Sequence, residues 1–86
     1  KMKNYLDEIR NKIKEKVEIE NLEIVNNSEK HRGHKFFSED KLHLHIKIKS
    51  SYLKSLSRIN AQKTIMKILK EDLKKKIHAL QISIEP

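Results

Sequence analysis

A chain of 86 residues carrying 20 Lys and Arg against 12 Asp and Glu, for a formal charge of +8, has room for one modest domain and not for separate catalytic and regulatory modules. The basic surplus favours encounter with polyanions without choosing among nucleic acid, acidic proteins and anionic surfaces. The absence of cysteine excludes disulfides, a thiolate nucleophile and a thiolate metal site built from this chain alone, and no apolar run approaches the ~18 residues needed to span a bilayer.

Met2, Tyr5, Leu6, Ile9, Ile13 and Val17 recur at spacings of three and four and predict an amphipathic helix over 2–16. Leu22, Ile24 and Val25 predict a short strand within 21–26, halted by the turn-favouring Asn26-Asn27-Ser28. Residues 27–41 show no period and hold the only glycine of the chain, within His31-Arg32-Gly33-His34. Leu42, Leu44, Ile46 and Ile48 then alternate with His43, His45, Lys47 and Lys49, which predicts a strand with one apolar and one cationic face.

Ser50-Ser51 ends that strand, a short turn of helix fits 51–55, and Ser55 or Ser57 is placed to cap a helix over about 57–74. On this helix Ala61, Ile65, Ile68, Leu69 and Leu73 form the buried stripe, and one charge, Asp72, falls inside it. Lys63, Lys67, Lys70 and Lys74 form a cationic ridge on nearly the opposite side. Residues 77–84 alternate again, and the phase places His78 with Leu80, Ile82 and Ile84 on one face of a closing strand. Three strands with helices packed on one face make a two-layer α+β sandwich.

The serines sit at turn and cap positions without a nucleophile elbow, and a single glycine excludes a P-loop and a dinucleotide-binding fingerprint, so we expect no enzyme. No signal-type segment opens the sequence, and we expect a cytoplasmic protein without a membrane role. The five histidines are the remaining residues with chemistry to offer. His31 and His34, three residues apart in a polar loop, can turn toward one cation, although spacing alone is a weak signal. The alternation turns His43 and His45 away from the core as half-exposed strand groups. His78 is either a satisfied structural histidine or one that presents a nitrogen to a ligand, and spacing alone favours the former.

His78-Ala79-Leu80, following Leu69-x-x-x-Leu73 and a basic stretch, closely resembles the C-terminal signature of BolA-like proteins. His43-Leu44-His45-Ile46-Lys47-Ile48-Lys49-Ser50 resembles that family's His-Phe-x-Val-x-Val-Val-Ser strand, and His31-Arg32-Gly33-His34 resembles its His-x-Gly-His loop. The resemblance covers nearly the whole chain in order, as a single domain over 1–86. Departures occur at Ala61, Gln62 and Lys63, where the family usually carries Arg-His-Arg, and at Leu53 and Ser55 in place of Phe and Gly.

The resemblance implies an αββααβ fold similar to class II KH domains, and a binding function. BolA-like proteins pair with monothiol glutaredoxins and share a 2Fe-2S cluster in iron-sulfur trafficking or iron and redox regulation. The partner's cysteine and a glutathione would supply thiolates, and this chain would supply His78 and a loop histidine. His34, nine residues before His43, fits the family's loop-to-strand distance, with His31 as the alternative. An imidazole in place of a thiolate raises the cluster's potential. Alone, the chain is expected to carry no cofactor and to be a monomer or weak homodimer. The alternative is a DNA-binding transcriptional regulator with Lys63, Lys67, Lys70, Lys74, Lys75 and Lys76 facing phosphates. Against it stand the missing GxxG loop and an aromatic content of only 5%.

Overall fold

The computed structural model describes residues 2–28 and 42–86. The elements run α1 (Met2–Lys16), β1 (Asn21–Asn26), β2 (Leu42–Lys49), α2 (Ser51–Lys54), α3 (Arg58–Ile68), α4 (Lys70–Lys75) and β3 (Ile77–Ile84). Strand β2 is central, antiparallel to β1 and parallel to β3. A parallel neighbour cannot be reached by a tight turn, so the chain crosses over through the three helices between β2 and β3.

All of these helices lie on one face, because only one face of β2 is apolar. Leu42, Leu44, Ile46 and Ile48 are buried, and the intervening His43, His45 and Lys47 are half exposed. Ile9 and Ile13 from α1, Val17 just beyond it, and Ala61, Ile65 and Leu69 from the α3 side meet those strand residues in one core. Each fully buried Ile or Leu contributes about 1.5–3 kcal/mol by leaving water. Tyr5 and Leu6 complete the α1 stripe half-buried, and the side chain of Met2 lies outside the described residues. Arg10 Nη1 donates to the Leu22 carbonyl at 2.6 Å and ties α1 to β1.

Two serines start the crossover. Ser50, at the end of β2, accepts the Leu53 amide hydrogen and donates its own hydroxyl to the Glu18 carbonyl at 2.7 Å. Ser57 accepts the Asn60 amide hydrogen and caps α3. The single helix expected over 57–74 is two helices. Leu69, at φ −99° and ψ 19°, leaves helical values between α3 and α4, although i to i−4 bonds continue on both sides of it. The buried positions therefore run Ala61, Ile65, Leu69 and Asp72, and Ile68 and Leu73, expected in the stripe, are only half-buried.

The charge inside the apolar stripe is accounted for by its partners on α1. The Tyr5 hydroxyl donates to Asp72 Oδ1 and Lys12 Nζ donates to Oδ2, both at 2.6 Å. Lys76 Nζ lies 4.6 Å from the Tyr5 ring centroid, within cation–π range. Burial pushes the Asp72 carboxyl upward, but the hydrogen bonds from Lys12 and Tyr5 and the Lys12 charge outweigh it and leave the carboxyl below its ordinary value. Burial, then the Asp72 hydrogen bond and charge, hold the Tyr5 phenol above its ordinary range. Among the described residues no helix is long and apolar enough to cross a membrane.

Candidate functional site

The face of the sheet opposite the helices carries the three described histidines, His43, His45 and His78. Along β2 and β3 the register pairs Leu42 with Ile77 but His43 with Ala79, so His78 is an extra residue in a β-bulge. Ile77, not His78, occupies the core position, and both His78 and Ala79 are exposed before Leu80, Ile82 and Ile84 return to the core side. This corrects the phase that placed His78 with Leu80, Ile82 and Ile84. One extra residue in a period of two exchanges the faces. A signal of this existed in the sequence: Ile77 is apolar at odd parity and Leu80, Ile82 and Ile84 at even parity, which an unbroken strand cannot bury on one face.

The bulge sets the His78 ring against that of His43, with centroids 5.1 Å apart and planes tilted by 54°. His43 is itself well anchored. Its amide hydrogen goes to Ser28 Oγ at 3.1 Å, and its carbonyl accepts the Asn27 amide hydrogen at 2.7 Å. Asn26 Oδ1 accepts the Ser28 amide hydrogen at 2.9 Å, an Asx turn that ends β1 at this point. A shallow depression of roughly 200 Å³ adjoins His43 and is bordered by Asn27, Ala79 and Gln81. Two residues further on, His45 Nε2 shares a hydrogen bond of 2.7 Å with Ser83 Oγ. His31 and His34 lie outside the described residues.

Two imidazoles thus adjoin on the open face. Among the described residues no group of three His, Asp or Glu is arranged to hold a metal ion. A metal or cluster bound here would therefore need donors from beyond the described residues. The pairing of His43 with His78 was not legible from periodicity, which assigns faces but not neighbours across strands.

The lysines do not form one surface. Lys63 borders a groove of roughly 820 Å³ between α3 and β3, together with Lys54 and Arg58. Lys67 borders a different cleft against α1, beside Lys12, Glu15 and Lys16. Lys76 lies over Tyr5, and Lys70, Lys74 and Lys75 are exposed on α4.

A family model described as BolA-like protein matches residues 13–85. The uncharacterised protein in the cobS 5′ region of Sinorhizobium sp is 34% identical over 80 residues, which cover 91% of this chain and 84% of that protein. BolA1 from Arabidopsis thaliana superposes with a TM-score of 0.78 at 27% identity, covering 92% of this chain and 87% of that one. The BolA domain of SufE1 from the same plant gives 0.77 at 26% identity with the same coverage. BolA1 from Mus musculus gives 0.73 at 26% identity, over 92% of this chain and 62% of that one. The chain belongs to the BolA-like family, and its mixed α+β fold is that of the BolA domains.

Proposed function

We propose that this BolA-like protein pairs with a monothiol glutaredoxin and shares a 2Fe-2S cluster with it, in iron-sulfur trafficking or iron and redox regulation in the cytoplasm. The observation that carries this reading is the bulge that turns His78 out of the core and exposes it beside His43. A histidine packed under the helices is out of a partner's reach, whereas this one offers its ring to whatever covers the open face.

In this reading His78 and a loop histidine, His34 ahead of His31, hold the cluster from this side, and the partner's cysteine and a glutathione supply the thiolates. His34 is six residues from Ser28, a span of ~20 Å when extended, and Ser28 is held against the backbone of His43. The cluster, when bound, is a one-electron centre or a cargo for transfer. Substituting neutral imidazoles for thiolates makes the site less negative and raises its potential. The His43 ring restricts where the His78 ring can turn, and the +8 charge steers an acidic partner toward encounter.

The test is to combine the protein with a monothiol glutaredoxin, iron, sulfide and glutathione, and to compare visible absorption and circular dichroism with those of the glutaredoxin alone. A changed spectrum that is lost in His78→Ala is the expected result. An unchanged spectrum, or the same change with His78→Ala, sinks the reading. Salt-dependent DNA binding that survives His78→Ala and disappears when Lys67 and Lys70 become Glu would favour the regulator instead.

A further inference from the structure

The groove between α3 and β3 has no part in the cluster reading. It lies at the C-terminal end of β3, five strand positions and on the order of 15 Å from His78, and its lining takes in Ile82 and Ile84 from one face of the strand and Ser83 from the other. Three cations, Lys54, Arg58 and Lys63, border it, and no acidic residue lines it among the described residues. Its apolar lining includes Ile82, Ile84 and Ile59, and Ile59 is 65% exposed, the most exposed of the large hydrophobic side chains described.

The third feature is backbone. β3 is an edge strand, bonded on one side to β2 and to no described strand on the other. The Ile82 carbonyl points to the open side, where it accepts a hydrogen bond of 2.9 Å from Gln62 Nε2. By the alternation of a strand, the backbone polar groups of Leu80 and Ile84 point the same way. Gln62 thus shields one position of an edge that otherwise offers a template for another strand.

We propose that this groove binds an extended acidic segment of a partner protein, added as a strand along the outer edge of β3. Backbone hydrogen bonds to the edge supply affinity. Alternate apolar side chains pack on Ile59 and Ile84, and carboxylates pair with Lys54, Arg58 and Lys63. A single-stranded nucleic acid fits less well, because the lining is aliphatic, without an aromatic surface on which bases stack, and because a phosphate backbone has no use for the strand edge.

The probe is a short, end-capped peptide alternating Glu and Val, titrated into the isotope-labelled protein with amide resonances as the readout. Shifts confined to residues 54–63 and 80–84, with His43 and His78 unmoved, are expected. Raising the salt concentration into the molar range should weaken binding by about tenfold, because the charges are near the surface. Arg58→Glu together with Lys63→Glu should weaken it by at least about tenfold, whereas the equal charge change Lys70→Glu with Lys74→Glu should leave it unaltered. All four side chains are exposed, and a native thermal melt confirms that each variant is folded.

The proposal is overturned if the peptide moves no groove resonances or if both double variants weaken it equally. Equal binding by a peptide N-methylated at alternate residues would overturn strand addition. An oligothymidylate that shifts the same resonances at lower concentration than the peptide would reassign the groove to nucleic acid. Because His78 is not involved, His78→Ala separates this proposal from the cluster reading: it should abolish the cluster and leave the peptide bound.

Discussion

On the helix side of β2, Leu44, Ile46 and Ile48 are at most 3% exposed, whereas the residues between them, His43, His45 and Lys47, stand half open to solvent on the other side. The same eight residues thus serve two purposes, and the two-residue period of a strand keeps them apart. Apolar contact, which has no direction, accounts for the covered face. The open face holds groups whose value lies in direction: a ring pair at 5.1 Å, a histidine bonded to a serine, and backbone ties from Asn27 and Ser28 to His43. The difference teaches that stability and binding chemistry are separable here, and substitutions on the two faces should show it.

The largest effect belongs to the covered face. Ile46→Ala, at a position with no exposure, should cost about 2–5 kcal/mol, counting lost transfer energy and the cavity left behind. Urea denaturation would measure it, and a loss below 1 kcal/mol would mean that the core repacks freely. Next comes the Asp72 network. Asp72→Ala should cost about 1–3 kcal/mol, because it strips the acceptor from Tyr5 and Lys12 together.

The same network has a pH signature with a definite sign. Because the folded carboxyl of Asp72 is held below its unfolded value, its contribution is present above an unfolded pKa of about 3.9 and is lost as pH falls through the folded value. The Tyr5 phenol works in the opposite sense. Raised in the fold, it contributes below an unfolded pKa of about 10, and this contribution is lost as pH climbs through the raised value. Stability against pH should therefore be flatter at both ends in a Tyr5→Phe, Asp72→Asn double variant. Unchanged slopes would show that the network is not what couples folding to pH.

A smaller effect falls where the two faces meet. Ser50→Ala removes the cap of α2 and the bond to the Glu18 carbonyl, for a cost of about 1 kcal/mol. The smallest is on the open face. His78→Ala should change stability by no more than about 0.5 kcal/mol, since the ring is exposed, while removing the proposed cluster ligand. If His78→Ala instead destabilised the fold as much as Ile46→Ala, the division of labour between the faces would fail.

Most of the secondary structure was legible. The bounds of α1, β1 and β2 follow from apolar spacing and from turn residues, and the resemblance to BolA-like proteins agrees with the family to which the chain belongs. The break at Leu69 was not legible, because both helices share one apolar spacing and no glycine or proline marks the junction. The candidate site was legible as residue types and not as a place. The His-Ala-Leu motif marks His78, but periodicity assigns it to the wrong face, because it assumes a strand without an extra residue. Arg58 and Lys54 are not marked by spacing, since neither belongs to the regular lysine ridge of the helix.

What the sequence determined by itself is therefore what depends on near neighbours along the chain: which segments are helix or strand, and which face of β2 is apolar. What only the tertiary structure decided depends on pairs far apart in sequence. Asp72 finds Tyr5 and Lys12 across 67 and 60 residues, His78 meets His43 through the register of β3 on β2, and Lys54, Arg58 and Lys63 gather beside the edge of β3. Periodicity is a local property of the backbone, whereas register, bulges and grooves arise only when remote elements settle against one another in space.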